Sequence, residues 1–165
     1  MNDKIDWDEE ETPKHLGLNK TDYQFSKPSA DLLDTFKNKH PYSLYLVPFT
    51  QDRDEFTSLC PVTNQPDHAK MEIIYVPNEL MVESKSLKLY LFSFRNNGEF
   101  HEDVANRIAS DLMKLLKAKY VRVFADFAPR GGIAIKPLVE RWNTNDHSES
   151  DHVDRLVKSW DIKRG

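Results

Sequence analysis

Cysteine is the scarcest chemical resource in this chain: 165 residues contain one, Cys60. A single cysteine excludes an intrachain disulfide framework and any metal centre needing two thiolates from the same chain. Cys60 is then either a small packed apolar residue or a thiol with a chemical task. Long hydrophobic runs are also absent. No stretch approaches the roughly 18 apolar residues of a membrane helix, and the opening MNDKIDWDEEET is acidic where a secretory signal would be basic and then apolar, so a cytoplasmic protein is expected. Nor is there an excess of positive charge. With 23 Lys and Arg against 27 Asp and Glu the formal net charge is -4, which removes the bulk attraction used by non-specific nucleic-acid binders. GxGxxG and P-loop fingerprints, internal repeats and low-complexity tracts are missing as well.

What is present reads as one α+β domain with polar ends. Residues 1–41 form an N-terminal extension of weak periodicity, acidic over 3–11, which reads as a solvated arm or a loosely packed extension. Residues 43–49 and 71–77 have the branched and aromatic content of strands, and residues 49–70 between them read as one long loop holding Cys60. In 100–120, Val104, Ile108, Leu112, Leu115 and Leu116 recur on one helical face, with acids at the start and lysines at the end as the helix dipole prefers. Residues 120–129 and 133–142 alternate around Arg130-Gly131-Gly132 and predict a hairpin. Residues 83–94 fit both an alternating and a helical pattern. The polar tail 143–165 allows a short helix at 153–160.

Three constellations carry possible chemistry. In LCPVTNQPD, proline-braced turns can bring Asp67 back toward Cys60, and a neighbour that stabilises the thiolate or takes its proton would make the thiol a nucleophile. The structural alternative is a packed Cys60 and a turn-forming Asp67 before His68. His101 and Glu102 open the long helix and can line two walls of a cleft, although Glu102 also simply answers the helix dipole. Finally, ESKSLKLY with Arg130-Gly131-Gly132 offers the ammoniums, hydroxyls and amides that hold phosphate, or a solvated surface.

Together, EFTSLCPVTNQPD, ESKSLKLYLFSFRNNGEFHE and FAPRGGIAI resemble the single-domain NADPH-dependent 7-cyano-7-deazaguanine reductases of queuosine biosynthesis, a tRNA-modification pathway, over about residues 42–142. Glu83 to Tyr90 meets that family's nicotinamide-cofactor pattern in full; Asn64 stands where relatives commonly have glycine and tolerates the same left-handed turn. The resemblance implies a tunnelling fold of ββααββ units, with an antiparallel sheet, two helices on one face and association into oligomeric barrels with active sites at subunit interfaces. It makes 83–94 a helix. It also implies reduction of a nitrile to an aminomethyl group with two NADPH through a covalent Cys60 thioimide, Asp67 being the acid and His101 assisting. Glu102, Glu83 and Ser84 would bind substrate, and Ser84, Lys85, Ser86, Lys88, Arg130 and Gly131 the cofactor, with no metal, nucleic-acid or membrane partner. Two rivals are weighed: a zinc hydrolase resembling GTP cyclohydrolase I, disfavoured by the single cysteine, and a non-catalytic binder of purine-like ligands.

Overall fold

The computed structural model describes residues 27–40, 42–49, 55–143 and 147–164. Its centre is β4 (Pro66–Val76), an eleven-residue strand that alternates exposed and buried from its first residue and is buried on both faces at its end. β6 (Tyr120–Phe127) runs antiparallel along one edge of β4 from Ala69↔Phe127 to Val76↔Tyr120. Along the other edge lie β3 (Phe56–Leu59), opposite Pro66–Ala69, and β2 (Tyr45–Phe49), opposite Met71–Tyr75. β7 (Leu138–Trp142) extends the sheet beyond β6. A second sheet is the short pair β1 (Thr35–Lys37) and β5 (Leu80–Val82).

Two helices close one face of the large sheet. α1 (Ser84–Phe92) starts at Glu83, whose carboxylate accepts from the amides of Lys85 and Ser86, a strong N-cap. α2 (His101–Leu116) buries Val104, Ile108, Ala109, Leu112 and Leu116, and it ends where Lys117 turns left-handed at φ 44°. These side chains meet Met71, Ile73 and Tyr75 of β4 and Val121, Val123 and Ala125 of β6 in the main core. The intervening β4 and β6 residues, Ile74, Val76 and Tyr120, point to the opposite face, as the strand period requires. There α3 (His147–Arg164) lays Val153 and Val157 on them.

Several sequence expectations are corrected. The 49–70 segment is not one long loop, because β3 and the first half of β4 lie within it and the connection between them is only Cys60–Gln65. Pro66 tolerates the first position of a strand, where no ladder donor is required of it. Of the two readings of the N-terminal stretch, 30–37 follows the packed one: a short 3-10 turn, Ala30–Leu32, leads Leu33 into the core before β1 pairs with β5. Residues 1–26 lie outside the described residues. The second hairpin strand begins at Leu138 rather than 133, since the chain first completes a two-residue turn and passes Pro137. The tail helix spans 147–164 and occupies the sheet face opposite α1 and α2, so helices flank both faces. No helix among the described residues is long and apolar enough to cross a membrane.

Candidate active site

Alternation builds the site. Phe56 and Ser58 of β3 face the helices, and Cys60 continues that phase just past the strand; across the ladder Asp67 and Ala69 of β4 do the same, with Ser58 directly opposite Asp67. The apolar layer under α1 and α2 therefore turns polar at this end of the sheet. The Cys60–Gln65 connection closes on itself, Asn64 N–H donating to the Cys60 carbonyl at 2.9 Å and Cys60 N–H to the Gln65 carbonyl at 2.9 Å. Asn64 takes the left-handed conformation, φ 58°, which its short polar side chain tolerates.

A second strip of backbone brings in α2. Leu59 N–H donates to the Asn97 carbonyl and Glu99 N–H to the Leu59 carbonyl, at 3.0 and 3.1 Å, so the chain entering α2 is zipped beside the strand end that precedes Cys60. Gly98 fits this approach because a Cβ there would already meet the Pro61 Cα at 3.4 Å. His101, the first residue of α2, stacks on Phe127 with ring centroids 3.9 Å apart and planes 6° from parallel. Phe127 in turn packs edge-on against Phe56, so the imidazole rests on an aromatic floor.

The electrostatics favour a reactive thiol. Cys60 is 7% exposed, yet its pKa falls from the ordinary thiol value to about 6. The Thr63 hydroxyl is the largest cause, followed by Arg130 and then the backbone amides of Thr63 and Val62, while burial pushes weakly the other way. At neutral pH roughly nine-tenths of such a thiol is thiolate. Asp67 is held from two sides: Oδ1 lies 2.9 Å from Arg130 Nε, and Oδ2 lies 3.0 Å from His101 Nε2. The second approach is close enough for an ion pair but is not aligned as a hydrogen bond, so Asp67 Oδ2 and His101 Nε2 are both left without a well-formed partner. Ser58 Oγ, also buried, is a third unsatisfied atom in the same region. Buried polar atoms are normally paired, and three unsatisfied ones lie together here.

Of the residues singled out in the sequence, the structure brings together Cys60, Asp67, His101 and Arg130. Glu102 follows His101 with its carboxylate open to solvent and its carbonyl accepting from Asn106 Nδ2 at 2.9 Å. Gly131 and Gly132 have φ of 59° and 84°, and the Arg130 and Ile133 backbones exchange both hydrogen bonds across them, which makes the turn a type I′ hairpin turn. Glu83, Ser84, Lys85, Ser86 and Lys88 form a separate group at the start of α1. Ser84 and Lys88 are exposed there and Lys85 is half-buried, whereas Glu83 is buried as the cap. Ser86 departs from the cofactor role the resemblance implies. Its side chain is fully buried, donating to the Glu83 carbonyl at 2.8 Å and accepting from Asp34 N–H at 2.9 Å, so it ties the N-terminal segment to α1. Sequence reasoning missed Thr63 and Ser58 as members of the site. Alternation from Phe56 was the available signal for Ser58; no pattern marks Thr63.

Residues 66–146 match the family model described as QueF-like protein. An NADPH-dependent 7-cyano-7-deazaguanine reductase of Neisseria meningitidis serogroup B is 56% identical over 123 residues, covering 74% of this chain and 76% of the relative. A Bacillus pumilus protein of the same name is 55% identical over 122 residues, covering 74% and 72%. Among solved structures, the crystal structure of the archaeosine synthase QueF-Like in the apo form aligns with a TM-score of 0.54 at 20% identity, covering 62% of this chain and 96% of that one, a likeness of fold. With more than half its residues shared over three quarters of its length, and with the cysteine, aspartate and histidine converging as described, the chain belongs to the NADPH-dependent 7-cyano-7-deazaguanine reductase family.

Proposed function

We propose that this chain reduces the nitrile of 7-cyano-7-deazaguanine to an aminomethyl group through a covalent thioimide on Cys60. The observation that carries the reading is the convergence of a thiolate-favouring Cys60 turn, a buried Asp67 and His101 on one face of the sheet. A bare nitrile accepts hydride poorly. Attack by the Cys60 thiolate forms the S–C bond and sends one π pair to nitrogen, which takes a proton from Asp67. His101, stacked in place on Phe127, orients Asp67 and can return a proton to it. The Thr63 hydroxyl and the Val62 and Thr63 amides receive the thiolate again when it leaves. Glu102, exposed at the rim, anchors the donor edge of the heterocycle through charge-assisted hydrogen bonds.

NADPH, when bound, supplies one hydride for each two-electron reduction, so nitrile to amine consumes two. Ser84, exposed at the start of α1, Lys88 one turn further on and Lys85 between them offer its phosphates a hydroxyl donor and two ammoniums. Ser86 does not fit, its hydroxyl being spent on Asp34 and Glu83. Self-association into a homo-oligomeric barrel with active sites at subunit interfaces belongs to the same reading. Its support is the apolar side chains exposed next to site residues: Val62 at 77%, Phe100 at 53% and Ile133 at 73%.

The direct test omits NADPH. Incubation with 7-cyano-7-deazaguanine should add one substrate mass to the chain, mapped by peptide mass spectrometry to Cys60; an active, folded sample that shows no adduct would refute the thioimide.

A further inference from the structure

We propose that Arg130 is a catalytic residue whose guanidinium, set between the Cys60 sulfur and the Asp67 carboxyl, stays paired with one negative charge while the nitrile step moves that charge from sulfur to carboxylate. This rests on the thioimide reading and assigns Arg130 a task other than holding cofactor phosphate. The side chain places Nε 2.9 Å from Asp67 Oδ1, and its guanidinium is near enough to the Cys60 sulfur to help lower the thiol's pKa. It reaches inward to do so: Arg130 is 34% exposed, Asp67 only 2%.

The position is built rather than incidental. Arg130 flanks the type I′ turn, its N–H donating to the Ile133 carbonyl at 2.9 Å and its carbonyl accepting from Ile133 N–H at 3.0 Å. Two residues earlier, Ala128 N–H donates at 2.8 Å to the carbonyl of His68, the neighbour of Asp67 on β4. The arginine backbone is thus tied to the strand that carries its acidic partner. A loose surface cation would have no such tether.

The charge balance gives the side chain its role. In the step as proposed, Sγ enters as the thiolate and Asp67 delivers the proton. The S–C bond forms, one C–N π bond breaks, its electron pair goes to nitrogen, and the Asp67 proton follows it. Sulfur is then neutral and Asp67 is a carboxylate. One negative charge has crossed the pocket, and Arg130 contacts both ends of its path. Without that cation the buried anion at either end of the step loses its counter-charge, which is costly. Among the described residues, the titratable and charged groups that face the sulfur and the carboxyl are Asp67 from β4, His101 from α2 and Arg130 from the hairpin. Of these, Arg130 carries its charge at every working pH.

Two measurements without NADPH test this on Arg130→Ala and on Arg130→Gln, which keeps a stem and a donor but no charge. The first is the pH dependence of Cys60 alkylation by iodoacetamide with no substrate present. The second is the rate of adduct formation with 7-cyano-7-deazaguanine. In both variants the alkylation midpoint should rise above the wild-type value, and adduct formation should slow by ~10²-fold, the scale of losing one charge-stabilising donor. Midpoint and adduct rate both unchanged, with only the NADPH KM raised, would overturn the proposal and leave Arg130 a phosphate ligand. Wild-type protein that alkylates with a low midpoint but forms no adduct would instead sink the thioimide reading, so the two failures are distinguishable.

Discussion

Two arginines at opposite ends of β6 each bridge a pair of partners, and the two clusters differ in how completely they are satisfied. At the first end, Arg122 donates from Nη1 and Nη2 to both oxygens of Asp161 at 2.6 and 3.1 Å and from Nε to Glu140 at 2.9 Å, while Glu140 also accepts from the Tyr120 hydroxyl. Donors and acceptors there meet in good geometry, and the cluster fastens α3 to the sheet. Past the other end, Arg130 joins Cys60 to Asp67, but Asp67 Oδ2, His101 Nε2 and Ser58 Oγ remain unsatisfied. A closed network stabilises a fold, whereas one with buried atoms still unpaired is arranged for something that arrives. On the proposed reading, the same residue type serves structure in one place and chemistry in the other.

If that contrast is right, changes in the open cluster should erase reactivity with little cost in stability. Cys60→Ala should show the largest effect: no adduct by intact mass and no substrate-dependent NADPH oxidation, with the thermal midpoint near wild type. Wild-type turnover by this variant would remove the nucleophile. Asp67→Asn keeps the shape of the side chain and loses its proton, so adduct formation should fall by ~10²–10⁴-fold, the usual worth of a positioned general acid. Near-normal adduct kinetics in the Asp67→Asn variant would assign the proton to another group.

How much of this could be read in the sequence follows from where each contact lies along the chain. α2 and β6 were legible because their partners recur locally, at helical spacing from Val104 to Leu116 and in alternation from Tyr120 to Phe127. Cys60 and Asp67 were within reach of one another on any tight path through two prolines. The rest depends on non-local pairing. Arg130 reads as a phosphate ligand until the β4–β6 register sets it beside Asp67, and Ser86 reads as exposed until residues 30–37, too short to show a period, pack against it. β4 was truncated because Pro66 looks like the end of a turn rather than the start of a strand. α3 was shortened because its polar sequence shows few apolar anchors, Val153 and Val157 among the described ones.

A smaller and graded effect probes the thiol itself. Its pKa is lowered, so the reactive thiolate is lost as pH falls through about 6, and on the acid side adduct formation should rise with pH through that value. Thr63→Val removes the hydroxyl that contributes most to the shift, so the midpoint should move upward. For a rise of about one unit the rate at pH 7 falls only about twofold, while near pH 5 it falls about tenfold. A pH-independent loss would instead mean that Thr63 shapes the turn and does not hold the sulfur.

The smallest effect belongs to the closed cluster, and it should be of the opposite kind. Asp161 is 48% exposed and Arg122 only 16%, so solvent screens one partner and the pair alone is worth little. Arg122→Ala also removes the contact to Glu140, although Tyr120 keeps that carboxylate partly satisfied. Together the losses come to about 1 kcal/mol, which for a chain of this size lowers the thermal midpoint by roughly 2–4 °C. The packing of Val153 and Val157 on Ile74, Val76 and Tyr120 remains, so α3 should stay docked and adduct formation at 25 °C should match wild type. A calorimetric scan with a parallel adduct assay checks both halves. If Arg122→Ala slowed adduct formation without lowering the melting temperature, the division between a structural and a chemical arginine would be wrong, because the closed network would be transmitting to the site rather than holding the helix.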